Sequence, residues 1–293
     1  MALIFGTTSY VLPDDYLPNL RLLAPLVDDV ELMFFEGANL PSRKDFERMA
    51  DLCVGDDFGV TVHLPVDADL SHPWPGGRKP AVEACLRAID LTRPLCPRAY
   101  VLHPAASSSA EASLARELSG ARLEALAESL GALTEVTEPS RLAVENLMFP
   151  FERVWPVVDE LGLSTVLDVG HLQLAGGRPE DYLDRYAHRL AVVHLHGVTG
   201  GRDHLDPATW GELRLRRLLE MFRAVGANRM GRPLVVTLEV FGGRVTANSL
   251  RSVAGALVAE EAGESPAVPT HPTQSERLLS AAEAIEKALP AAD

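Results

Sequence analysis

Short runs in which nearly every position is apolar alternate along the chain with longer stretches whose apolar residues recur every three or four positions. Runs of the first kind predict strands over 2–9, 30–35, 59–64, 99–103, 141–146, 164–169, 190–196 and 233–240. Several are apolar on both faces, as in parallel strands covered on both sides. Stretches of the second kind predict helices. One opens at Ser42, a suitable N-cap, with Phe46, Met49, Ala50 and Cys53 on one face. Another opens at Pro80, ahead of Val82, Cys85, Leu86 and Ile89. Others cover 114–133, 151–161, 179–189, 210–225 and 249–260. Eight strands, each followed by helix, predict a (β/α)8 TIM barrel over residues 1–262. The Pro-, Ser- and Thr-rich stretch 263–275 reads as a flexible loop, and 276–293 as a C-terminal helix packed on the barrel. A doubly wound open sheet fits less well. The first strand runs into Gly6-Thr7-Thr8-Ser9, which lacks the Gly-x-Gly-x-x-Gly turn of that architecture.

Composition narrows the chemistry. Among 293 residues, 41 are Asp or Glu and 27 are Lys or Arg, a formal net charge of -14. A nucleic-acid backbone or an anionic membrane calls for the opposite sign, so neither is an expected partner. The three cysteines, Cys53, Cys85 and Cys96, offer neither a disulfide framework nor a Cys-x-x-Cys knuckle. No basic, apolar leader precedes the first strand, and a reducing cytoplasm is the expected location. Walker A spacing is missing too, so ATP chemistry has no cradle.

The polar residues that interrupt this pattern sit at strand ends. The third strand ends at His63, the fourth at His103, the fifth at Glu145, the sixth at Asp168 and the eighth at Glu239. The seventh ends His194-Leu195-His196, and the second Phe35-Glu36. His171 and Asp203-His204 follow just beyond. In a barrel these ends surround one mouth. A histidine or carboxylate thus closes seven of the eight runs, in a chain with only 9 His. So many carboxylates and imidazoles together call for a cation. Nitrogen and oxygen donors without sulfur suit zinc, manganese or iron without singling out one of them, and zinc is the expected ion. His194 and His196, two apart on a strand, point to the same side. His194 is the deeper and reads as a ligand, His196 as a group beside the ligands or the substrate. Trp74, in the loop 71–77 after the third strand, could stack on a flat ligand or simply anchor that loop.

This constellation resembles the xylose isomerase-like barrels, which include the endonuclease IV (AP endonuclease family 2) group. The resemblance implies a divalent-metal site at Glu145, Asp168, His194 and Glu239. The endonuclease-like branch adds His63 and His103, and a further site to which His171 and His204 correspond. That site's aspartate has no counterpart, because Arg202 stands two residues before His204. Longer strings resemble the cobamide-remodelling phosphodiesterases of the CbiR type: Gly6-Thr7-Thr8-Ser9-Tyr10, Pro13-Asp14-Asp15-Tyr16-Leu17-Pro18-Asn19, Thr61-Val62-His63-Leu64-Pro65 and His194-Leu195-His196-Gly197-Val198. Membership would imply two or three divalent ions per chain and hydrolysis of a phosphoester in the nucleotide loop of a cobamide. The products would be a cobinamide-type corrinoid and α-ribazole or its phosphate. Glu145, Glu239, His196 and Arg202 would be the catalytic set, with Arg202 either pairing with a phosphate oxygen or standing as a solvated loop arginine. Two rivals remain at this stage. One is a one-metal sugar isomerase or epimerase, in which Glu145 and Glu239 move protons. The other is a non-catalytic corrinoid-binding barrel.

Overall fold

The computed structural model describes residues 3–53, 58–106, 120–227, 232–261 and 272–290. Seven strands come first: β1 (Ile4–Thr8), β2 (Asp29–Met33), β3 (Gly59–His63), β4 (Tyr100–Leu102), β5 (Leu142–Glu145), β6 (Ser164–Asp168) and β7 (Leu190–Leu195). After them come β8 (Gly197–Thr199), β9 (Arg202–Leu205) and β10 (Val235–Leu238). All but β8 and β9 form one closed parallel barrel, ordered β1-β10-β7-β6-β5-β4-β3-β2. The expected (β/α)8 TIM barrel is the observed fold. β8 and β9 form a separate antiparallel hairpin.

Two-residue periodicity divides each strand between two cores. Outward residues such as Val62, Leu102, Val144, Leu167, Val193 and Val236 pack with the helices in the main core. Inward residues Ala99, Val101, Ala143, Val166, Val192 and Val235 form a separate apolar plug inside the barrel. Continuing the inward parity toward the C-terminal ends reaches His103 above Val101, Glu145 above Ala143, Asp168 above Val166 and His194 above Val192. One alternation therefore fills the barrel floor with small apolar groups and its mouth with donors.

The helices are α1 (Tyr16–Leu23), α2 (Arg43–Ala50), α3 (Pro75–Thr92), α4 (Gly120–Thr134), α5 (Trp155–Glu160), α6 (Val169–Leu174), α7 (Pro179–Tyr186), α8 (Glu212–Ala227), α9 (Gly243–Glu261) and α10 (Gln274–Ala288). Ser42 caps α2 as expected, in a reciprocal capping box with Asp45. The helix expected to open at Pro80 opens instead at Pro75, which takes the first helical position behind Trp74. Pro80 then lies inside the helix and forgoes one i→i−4 bond. α9 also starts earlier than expected, directly after Gly242. α1 and α6 had no counterpart in the sequence reading. Of the expected helix 114–133, residues 114–119 lie outside the described residues, as do 263–271 of the expected loop.

α10 begins with a second capping box, between Thr273 and Glu276. Its Leu278, Ala281, Ala282 and Ile285 join the main core. Arg277 pairs with Asp28 at 2.5 Å, and Gln274 donates to the Leu3 carbonyl at 2.7 Å. Both contacts fall near the start of the first barrel strands. Among the described residues no helix is long and apolar enough to cross a membrane.

Candidate metal centre

The mouth gathers three groups of potential metal donors: His63, His103 and Glu145; Glu145, Asp168, His194 and Glu239; and His171, His196 and His204. Glu145 belongs to two of them. Its Oε2 lies 3.3 Å from His63 Nε2, 3.3 Å from His103 Nε2 and 3.5 Å from His194 Nδ1. Its Oε1 lies 3.2 Å from His171 Nδ1. His194 Nδ1 is also 3.1 Å from Glu239 Oε2 and 3.8 Å from Asp168 Oδ2. Side chains of Glu145, Asp168 and His194 are fully buried, and Glu239 nearly so.

These donors fit a divalent ion. Glu145 Oε1, Glu239 Oε2, His171 Nδ1 and His194 Nδ1 are buried without a hydrogen-bond partner, although each has an oppositely charged atom close by. Within each donor group the potential ligand atoms lie within 4.8 Å of one another, close enough to share an ion. Tetrahedral ligands at about 2.05 Å from zinc stand about 3.3 Å apart, the spacing seen here. Leaving such groups buried and unsatisfied would be costly without an ion between them.

A layer of hydrogen bonds beneath the donors fixes their orientation. The carboxylate of Glu31, midway along β2 and fully buried, faces His194 Nε2 at 3.2 Å. His194 Nε2–H therefore donates to Glu31 and leaves the Nδ1 lone pair turned toward Glu145, Asp168 and Glu239. His196 is likewise engaged at both nitrogens. Its Nδ1 accepts the His204 backbone N–H at 2.9 Å, and its Nε2–H donates to Asp168 at 3.1 Å. The Asn146 side chain bridges to β6, accepting from Asp168 N at 2.8 Å and donating to Asp168 O at 3.0 Å. At Gly170, a Cβ would run into the His196 ring, so glycine is required where α6 passes it.

The β8–β9 hairpin supplies His204. Its Gly200-Gly201 turn has φ of 60° and 76°, the positive values that match strand twist in two-residue hairpins. His204 itself sits at φ 50°, an unusual value for a non-glycine residue. It is held there by its N–H to His196 and by Nδ1, which donates to the Glu239 carbonyl at 3.1 Å. Trp210 Nε1 donates to the His196 carbonyl at 2.8 Å and braces the same segment.

Burial and charge compete throughout the site. Burial pushes the Glu145 carboxyl up, but His194 and His103 outweigh it and hold it well below the usual range. Asp168 is likewise lowered, its burial outweighed by His171 and His196. Burial depresses the His171 imidazolium, yet Asp168 and Glu145 raise it to about 10. His194 rises well above its ordinary value against the same burial, through Glu239, Glu31 and Glu145. Without metal, the surrounding carboxylates favour a proton on His171 and on His194.

Other residues fall outside this assembly. Arg202 is exposed at the hairpin, beyond the three donor groups. Asp203, its neighbour, faces His171 Nε2 at 3.8 Å and His204 Nε2 at 4.0 Å. Glu36 does not close β2, which stops at Met33. It is exposed, and its carboxylate accepts from Asn39. Trp74 precedes α3 and is 67% exposed. His188 packs edge-on against Trp155, with ring centroids 5.7 Å apart. The reading from strand ends missed Glu31 because it lies mid-strand. Its only signal is its place on the inward parity of β2, two residues after the buried Asp29.

The architecture is a closed parallel TIM barrel with imidazoles and carboxylates, a candidate metal site, crowded at its C-terminal mouth. The chain belongs to the xylose isomerase-like TIM barrel family, whose model matches residues 27–257. Endonuclease IV from Thermus thermophilus is similar with a TM-score of 0.64 and 19% identity, covering 87% of this chain and 99% of that one. The 3-keto-D-glucoside 4-epimerase YcjR from E. coli has a TM-score of 0.64 and 15% identity, over 88% of this chain and 100% of its own. An L-ribulose 3-epimerase has a TM-score of 0.58 and 16% identity, over 98% and 94%. At such identities the likeness is one of fold. Curated proteins provide no match to the chain. The solved structures that share this fold thus include epimerases and endonuclease IV, and the fold alone does not choose between their chemistries.

The Glu31 contact carries a prediction. Exchanging Glu31 for Gln keeps the volume but removes the acceptor charge that selects the His194 tautomer. Metal affinity should fall by about 10- to 100-fold. Competition against a chromophoric chelator measures this, and affinity equal to that of the unmodified protein would remove Glu31 from the account.

Proposed function

We propose that this protein is a metal-dependent phosphodiesterase that hydrolyses a phosphoester in the nucleotide loop of cobamides. The products are a cobinamide-type corrinoid and α-ribazole or its phosphate. The observation that carries the hydrolytic part is the sharing of Glu145 between two donor groups. An isomerase needs one ion at Glu145, Asp168, His194 and Glu239, with His63 and His103 serving the substrate, so the number of ions held separates the two readings. The cobamide part rests on the resemblance of the N-terminal, third-strand and seventh-strand strings. A net charge of -14 agrees with a substrate that carries a single phosphodiester rather than a polyanionic backbone.

In this reading His63, His103 and Glu145 hold one divalent ion, and Glu145, Asp168, His194 and Glu239 a second. Such ions supply Lewis-acid neutralisation of phosphoryl oxygens and a lowered pKa for water. The chain's own residues do the rest. Glu145 stays ionised and links the two groups. Glu31 and His196 hold His194 and Asp168 in fixed orientations, so that little reorganisation is needed during reaction. His171 and His204 are the partly exposed imidazoles of the third group, with side chains 14% and 25% exposed. They are placed to meet substrate oxygens. His196, sealed from solvent, acts through Asp168. Arg202 at the hairpin can approach a phosphate only from the outer edge of the mouth.

Metal stoichiometry tests the hydrolytic part directly. After loading and desalting, elemental analysis should give two or more ions per chain. A single tightly held ion would favour the isomerase or epimerase.

A further inference from the structure

The donor groups draw on β3, on the strands from β5 to β7 and, through Glu239, on the end of β10; beside them lies the edge of the mouth formed by the segments after the adjacent strands β10, β1 and β2. There the segments after the strands each present an aromatic ring: Phe241, Tyr10 and Phe35. Centroids of Tyr10 and Phe35 are 4.9 Å apart, those of Phe35 and Phe241 5.8 Å, and those of Tyr10 and Phe241 6.3 Å. Phe35 is 38% exposed, a large apolar side chain left facing water. Phe241 in turn lies 5.0 Å from the His204 ring. The aromatic surface and the third donor group are therefore one continuous wall.

This wall is held rigidly. Buried Asn19 clamps the segment that follows Tyr10: its Oδ1 accepts from Val11 N at 3.1 Å and Leu12 N at 2.7 Å. Its amide donates to the Leu12, Asp14 and Asp15 carbonyls. Gly242 N donates to the Tyr10 carbonyl at 2.6 Å, tying the segment after β1 to the one after β10. Gly242 has φ 108°, a backbone conformation closed to other residues. The Tyr16 hydroxyl donates to the Met33 carbonyl at 2.8 Å, and its ring stands edge-on to Tyr10. A largely apolar recess of about 600 Å3 adjoins Tyr10 and Phe241, bordered also by Val11, Pro13, Leu289 and one charged residue, Arg244.

We infer that Tyr10, Phe35 and Phe241 form a subsite for a flat, apolar, π-bearing part of the substrate, held while its phosphoester lies at the donor groups. A pre-formed aromatic wall binds such a group at little ordering cost, and binding energy remote from the reacting bond serves to position it. The same wall offers a sugar or a bare polyphosphate few polar contacts. The inference rests on the phosphoester reading and specifies what the remainder of the substrate must be. In a cobamide, either the corrin macrocycle or the lower-ligand base has this chemistry.

Phe35→Ala, Phe241→Ala and the double variant test it, with Phe241→Trp as the conservative control. Two probes without a phosphodiester are used on the metal-loaded protein: cobinamide, which has the macrocycle without the base, and α-ribazole, which has the base on its ribose without the macrocycle. Equilibrium dialysis should show that one of them binds. Each Ala exchange should weaken it about tenfold, the Phe241→Trp variant should bind as the unmodified protein does, and metal content should stay unchanged. The probe that responds identifies the occupant. On an intact cobamide the same variants should raise KM more than they lower kcat. Failure of both probes to bind the unmodified protein, or equal binding by the double variant, overturns the subsite. Probe binding that depends on the rings without any cobamide turnover overturns the phosphodiesterase reading and leaves the subsite standing.

Discussion

Exchange of Glu145 for Gln should lower turnover by at least about 10³-fold and strip metal from both groups that share this residue, while the fold persists. Gln matches Glu in size, so the buried site is not left with a void. It lacks the charge that His63, His103, His171 and His194 all face within 3.5 Å. Exchange of a residue belonging to one group alone, such as His103, should release one ion and spare the other. Elemental analysis, far-ultraviolet circular dichroism and cooperative melting together separate metal loss from unfolding. A Glu145→Gln protein that stays active and fully loaded would remove Glu145 from the centre of the account.

The second large effect is proton–metal competition. His171 has an ordinary value of 6.5 and is raised to about 10 in the folded chain. A histidine raised in this way stabilises the metal-free fold fully below about pH 6.5, and that contribution is lost as pH rises through about 10. His194, raised in the same direction, acts with the same sign. A cation disfavours a protonated imidazole that ligates it, as at His194, or that shares its carboxylates, as at His171, so bound ions displace these protons, and affinity rises with pH by up to about tenfold per unit for each proton released. The melting temperature of the loaded protein minus that of the metal-free protein should therefore widen between pH 6.5 and 10. Parallel melts with and without zinc measure it. A gap that is constant or narrows across this window would show that the histidines are not the metal ligands.

Most of the barrel and its mouth was legible in the sequence, because the two signals are physically linked. Strands covered on both faces must be apolar, so a polar residue on the inward parity stands out where the apolar run ends. His63, Glu145, Asp168 and His194 are of this kind. Glu36 was misread because the apolar run continues through Phe34 and Phe35 after the pairing of β2 has ended at Met33. Phe35 is apolar for another reason, its place in the aromatic wall. Glu31 escaped notice because a carboxylate in mid-strand is tolerated only through a partner on the far side of the barrel, and no local pattern reports a partner 163 residues away. The hairpin carrying His204 had a local signal in Gly200-Gly201. The strand pairing that follows from it explains how a histidine beyond β7 folds back over Glu239.

The most direct measurement is the fate of cobamides incubated with the metal-loaded protein. A panel of adenosylated and cyano forms would be resolved by chromatography and identified by mass. The account predicts a cobinamide-type corrinoid together with α-ribazole or its phosphate, and the fragment that retains phosphorus identifies the broken bond. Cobamides recovered intact from protein with verified metal content would contradict it, and sugar isomerisation would then be the reaction to assay.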